Sequence, residues 1–138
     1  MGAAEYVADE LSIALESLGH HATNHEKPDI NVIPQQDVCW LICTSTHAAG
    51  ELPDNIQAFI SALKTNKPLL SAIKYGIIGL GDTSYDTYCQ AAVDINQLLL
   101  SLGAQQRGSF LQINALDEDL PEEYALNWLP DWLDSLIN

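Results

Sequence analysis

Gly79-Leu80-Gly81-Asp82-Thr83-Ser84-Tyr85-Asp86-Thr87-Tyr88-Cys89 is a glycine-rich turn between two segments of different periodicity. The apolar run from Tyr75 through Ile78 to Leu80 reads as a buried strand. The amphipathic run Asp86 to Leu102 reads as a helix, closed by Gly103, with Asp86 as an acid favoured by the dipole at its start. A turn of this kind leaves backbone N–H groups at the carboxyl end of a sheet, where open α/β folds bind ligands. Tyr85 within it can offer a flat face to a ring system. A second stretch has the same setting: Thr44-Ser45-Thr46-His47-Ala48-Ala49-Gly50-Glu51-Leu52-Pro53-Asp54-Asn55 follows the apolar run Val38 to Cys43 and precedes a helical run. Parallel strands end on one edge, so the two loops are expected to be neighbours.

Outward from these loops, strands and helices alternate. Ala4, Val7, Ala8, Leu11, Leu15 and Leu18 follow helical spacing, and Gly19 closes that helix. His20 to Glu26 reads as a short polar strand, and Lys27 to Gln36, with Pro28 and Pro34, as a loop. Val38 to Cys43 is continuously apolar, as a strand covered on both faces must be. A helix from about Pro53 to Thr65 puts Ile56, Phe59, Ile60 and Leu63 on one face. Phe110 to Ile113 is the last strand expected, Asp117 to Pro121 an acidic loop, and Glu122 to Leu136 a last helix that Pro130 would kink or split. Alternation of this sort implies right-handed βαβ units and a parallel sheet, an α/β fold.

The chain has 138 residues, enough for one domain with a real core, and 47% of them are hydrophobic against 17% charged, which argues against disorder. Nineteen acidic and five basic residues give a formal net charge of -14. That surface repels nucleic acid and anionic membranes and attracts basic proteins. No apolar run reaches the ~20 residues of a membrane span, and Met1 to Glu10 lacks the pattern of a signal peptide, so the cytoplasm is expected. Cys39, Cys43 and Cys89 form no CxxC pair and read as buried free thiols.

The two loops together, in order and at these intervals, resemble the flavin-flanking loops of the flavodoxin-like FMN proteins, most closely the short-chain MioC type. The likeness runs from Gly2 to the C-terminal helix, across residues 1–138 as one domain. It implies a doubly wound parallel sheet of order 2-1-3-4-5 and a bound FMN. Tyr85 would stack on the outer face of the isoalloxazine, and His47 would stand against the inner face. Backbone groups of Thr46, His47, Ala48, Ala49 and Gly50 would approach flavin N5, with Thr44 and Ser45 leading into that loop. Gly79, Leu80, Gly81 and Asp82 would line the ribityl chain and the pyrimidine end, and Tyr88 and Cys89 would close the second loop. The protein would be a one-electron carrier serving basic redox partners, and not an enzyme.

Two departures from the resembled family matter. Ala48 stands where relatives have a glycine whose peptide turns when N5 gains a proton. Met1-Gly2-Ala3-Ala4-Glu5 matches only the end of the family's phosphate loop and the start of its first helix. The resemblance therefore implies that the first strand and the phosphate hydroxyls are missing. The preferred explanation is an internal Met taken as the start; the other is a chain that lacks the strand. Amides near Gly2 and Ala3 remain for a phosphate, and weak FMN affinity is expected of the sequence as written. A flavodoxin-like interaction module that has lost FMN is the alternative function. A quinone-type flavin reductase and a phosphate-accepting receiver rank lower, the first for want of a substrate-pocket insertion, the second because Cys43-Thr44-Ser45 stands where it needs an acid.

Overall fold

The computed structural model describes residues 3–46, 52–86 and 88–137. Among the described residues, helices and strands follow in the order α1 (Ala3–Ser17), β1 (Cys39–Ser45), α2 (Asp54–Asn66), β2 (Lys74–Gly81), α3 (Gln90–Ser101), β3 (Gln105–Gln106), β4 (Leu111–Asn114) and α4 (Pro121–Ser135). All strand pairs are parallel. β2 is central: β1 pairs along one edge, from Cys39 opposite Lys74 to Ser45 opposite Leu80. The other edge is shared, β3 pairing at its start and β4 at its end. Of the implied order 2-1-3-4-5, three neighbouring positions are thus filled, by β1, β2 and the β3–β4 pair.

The apolar runs are continuous because each strand feeds two cores. Trp40 and Ile42 of β1 join Tyr75 and Ile77 of β2 under α2 and α3, with Phe59, Leu63, Ile95 and Leu99 filling that side. Leu41 and Cys43 join Ile78 and Leu80 on the opposite face, under α1 and α4, with Leu11, Ile113, Trp128 and Trp132. The architecture is three layers, helix pairs on both sides of a parallel sheet, as read from the alternation.

Several expected boundaries change. The helix expected from Asp86 begins at Gln90, and Asp86 sits in a turn before it. Strand residues Lys74 and Gly81 extend β2 at both ends, and Thr44 and Ser45 extend β1. Pro130 does not split α4; it lies on an exposed face, where water can satisfy the carbonyl its missing N–H leaves. Cys39 is exposed, whereas Cys89 is buried and Cys43 partly so.

His20 to Glu26 is not a strand. A strand exists through its ladder, and this segment bonds instead to α1: the Ala22 amide donates to Glu16 Oε1 at 2.9 Å and Asn24 Nδ2 donates to Asp9 Oδ1 at 2.6 Å. Among the described residues the outer edge of β1 is unpaired. A cleft of about 990 Å³ runs between that edge and residues 20–26, with Leu11, Leu15, Trp40, Ile56, Phe59 and Trp132 in its walls. Any strand added to this side of the sheet would lie there.

Candidate functional site

β1, β2 and β4 all run the same way, so Ser45, Gly81 and Asn114 end on one edge. The chain leaving β1 stays attached to β2: the Thr46 amide donates to the Leu80 carbonyl at 3.1 Å. Thr46 Oγ1 then accepts the Ala91 amide at 3.0 Å, filling one of the open donors in the first turn of α3. Thr44 is buried and its hydroxyl donates to the Ser45 carbonyl at 3.1 Å. The hydroxyls of Thr44 and Thr46 are therefore already bonded within the protein. The described start of the first loop, Thr44 to Thr46, thus lies beside the end of β2 and the start of α3; the rest of that loop, residues 47–51, lies outside the described residues.

The second loop folds on itself. Asp82 Oδ1 accepts the Ser84 amide at 2.8 Å and the Ser84 hydroxyl at 2.5 Å. The Tyr85 amide donates to the Asp82 carbonyl at 3.1 Å, and the Tyr88 amide to the Tyr85 carbonyl at 3.2 Å. Bonds from the Ser84 hydroxyl and amide hold the Asp82 carboxyl below its ordinary pKa. Tyr85 is 49% exposed, so part of its ring surface is accessible to a ligand. Cys89 closes the loop in the left-handed region at φ 55° and is fully buried.

The glycines and Cys89 act together. A Cβ on Gly79 would lie 2.7 Å from Ala92 Cβ, and one on Gly81 would lie 2.8 Å from the Cys89 amide nitrogen. Glycine at both positions lets the start of α3 press onto the end of β2. Gly79 and Leu80 are buried there and bring backbone to the edge, while Gly81 and Asp82 are half-exposed. Tyr88 is half-buried beside Cys89, and burial, with smaller contributions from Cys89 and Asp117, pushes its phenol up to about 12. Burial likewise pushes the Cys43 thiol up to about 12 and raises Cys89.

Asn114, which the sequence reading did not single out, ends on the same edge. Its side chain at the end of β4 bonds Thr83 and Leu116. The available signal was a polar amide directly after an apolar strand, which in a parallel sheet must share the edge with the loops. The acidic loop follows, and there Tyr124 donates its hydroxyl to Asp117 Oδ2 at 3.1 Å. Of the residues singled out from sequence, Gly2, His47, Ala48, Ala49 and Gly50 lie outside the described residues; Ala3 is the exposed first residue of α1.

A family model described as Flavodoxin matches residues 1–128. The chain belongs to the flavodoxin family. Protein MioC of Escherichia coli K12 is 42% identical over 136 residues, covering 99% of this chain and 92% of that protein, so the MioC-type likeness holds. Flavodoxin YqcA of the same strain is 35% identical over 127 residues, covering 91% of this chain and 85% of that one. Among solved structures, the C101S mutant of a flavodoxin from Pseudomonas aeruginosa superposes with a TM-score of 0.89 at 29% identity, over 99% of this chain and 93% of that one. The flavodoxin assignment accounts for the doubly wound parallel sheet.

Proposed function

We propose that this flavodoxin-family chain binds FMN at the shared edge of β1 and β2 and carries single electrons between protein partners. One observation carries the reading: the in-register pairing of β1 with β2 puts the starts of two ligand-type loops side by side, with Tyr85 half-exposed in the second. A flat, partly apolar ring with a polar rim fits that arrangement. Tyr85 would cover one ring face, backbone groups of Ser45, Thr46, Gly81 and Asp82 would meet the polar rim, and Tyr88 would back the second loop. Bound FMN supplies the one-electron chemistry; the protein holds it, shields one face and sets its electrostatic surroundings.

A carrier role, as opposed to an enzyme, is supported by the state of the nearby groups. Cys43, Tyr88 and Cys89 are all raised away from ionisation, so none of them is a ready nucleophile or base at neutral pH. Basic redox proteins are the partners proposed: the net charge of -14 favours them, and Asp82, Asp86, Asp117, Glu118 and Asp119 flank the site or its adjoining loop. Titrating FMN into the purified chain, with flavin fluorescence as readout, tests the reading. Saturable one-to-one quenching is expected. Fluorescence that stays that of free FMN at millimolar protein would favour the module without cofactor.

A further inference from the structure

We propose that Asn114 is a positioning residue that sets the shape of the Tyr85 loop before any ligand arrives. Its carboxamide uses both ends. Oδ1 accepts the Thr83 amide at 3.3 Å and the Leu116 amide at 3.1 Å, and Nδ2 donates to Thr83 Oγ1 at 2.9 Å. Asn114 is itself anchored: it lies opposite Gly81 in the β2–β4 ladder, and the next amide, Ala115, donates to the Gly81 carbonyl at 2.7 Å. A group fixed to the end of β2 thus grips the second residue beyond that end. Thr83 sits inside the Asp82–Ser84 turn, and the Tyr85 amide closes on Asp82. Fixing Thr83 therefore fixes the direction in which the Tyr85 ring leaves the loop. Through Leu116 the same side chain ties in the start of the acidic loop, so the ring face and the proposed partner surface are held as one unit.

The bonds are few and specific, which makes the role separable from folding. Asn114 is at a strand end outside both cores. Alanine removes all three bonds. Aspartate keeps an oxygen that accepts both the Thr83 and Leu116 amides and accepts the Thr83 hydroxyl with its other oxygen, so Asn114→Asp preserves the grip. Thr83→Val removes only the hydroxyl partner.

Amide hydrogen exchange on the free protein, followed by NMR, is the first readout. In Asn114→Ala the Thr83 and Leu116 amides should exchange about tenfold faster, on the order of one lost hydrogen bond. Asn114→Asp should retain protection, and Ile77 in β2 should be unchanged in every variant. Equal Thr83 exchange in the wild type and Asn114→Ala would overturn the proposal. Should Asn114→Ala fail to fold, Thr83→Val and Asn114→Asp carry the comparison, and loss of Thr83 protection in Asn114→Asp would overturn it. The second readout rests on the flavin reading: FMN should bind Asn114→Ala several-fold more weakly, with more residual flavin fluorescence at saturation, and Asn114→Asp should restore the quenching. Equal affinity and quenching in the alanine variant would also overturn the proposal. If the wild type binds no FMN, the flavin reading fails and the exchange rates still decide the role of Asn114.

Discussion

Tyr85 and Asp82 give the site its two testable properties at the scale of single residues. Tyr85 is half-exposed and lies outside both cores, so its ring is accessible and its removal leaves the cores untouched. Tyr85→Ala should weaken FMN by about 0.5–1.5 kcal/mol beyond the lost area, with brighter residual fluorescence and unchanged melting of the free protein. An unchanged affinity and spectrum would place the flavin elsewhere. Asp82 is tied to Ser84, and its carboxyl is held below the ordinary value of 3.8. Its contribution to the loop is therefore present above that value and is lost as pH falls through the lowered one. A carboxyl NMR titration should place the midpoint below 3.8, and Ser84→Ala should move it up.

The elements stand or fall on how closely α4 and α3 approach β2. A Cβ on Gly76 would lie 2.7 Å from Trp132 Cε2 and 2.9 Å from Trp128 Cη2, and those indoles stack at 5.8 Å. Gly76→Ala should cost about 1–3 kcal/mol by overpacking, read as a lower urea midpoint with altered tryptophan fluorescence. Leu63→Ala, at a fully buried α2 position, should cost about 2–5 kcal/mol by leaving a cavity. An unchanged midpoint in either variant would contradict the packing described. These elements were legible because helical spacing and unbroken apolar runs are strong signals: Ile56, Phe59, Ile60 and Leu63 form the buried face of α2 as read. The failures share a cause. Residues 20–26 have strand-like length but bond to α1, and β3 is two glutamines whose strand pairing comes from their place against Lys74 and Tyr75. Neither outcome is written in local pattern, because ladder partners are chosen in three dimensions. The same holds in the site: Tyr85 and the paired loops could be read from sequence, whereas Thr46 capping α3 and Asn114 gripping Thr83 depend on which strand ends share an edge.

For the whole molecule, charge and topology act together. With a net charge of -14, association with a basic redox protein should slow steeply as salt rises, because the Debye length shrinks from about 10 Å at 0.1 M to 3 Å at 1 M. Stopped-flow association rates across that range test this, and a rate independent of salt would remove electrostatic steering from the account. On the proposed reading, the flavin lies at the shared edge of β1 and β2. The most direct measurement is an amide NMR spectrum of the chain as FMN is added. Shifts should concentrate in residues 44–46 and 79–89 and reach Leu116, while the β1 edge that faces the cleft stays still. Shifts centred on residues 20–26, or none at saturating FMN, would contradict it.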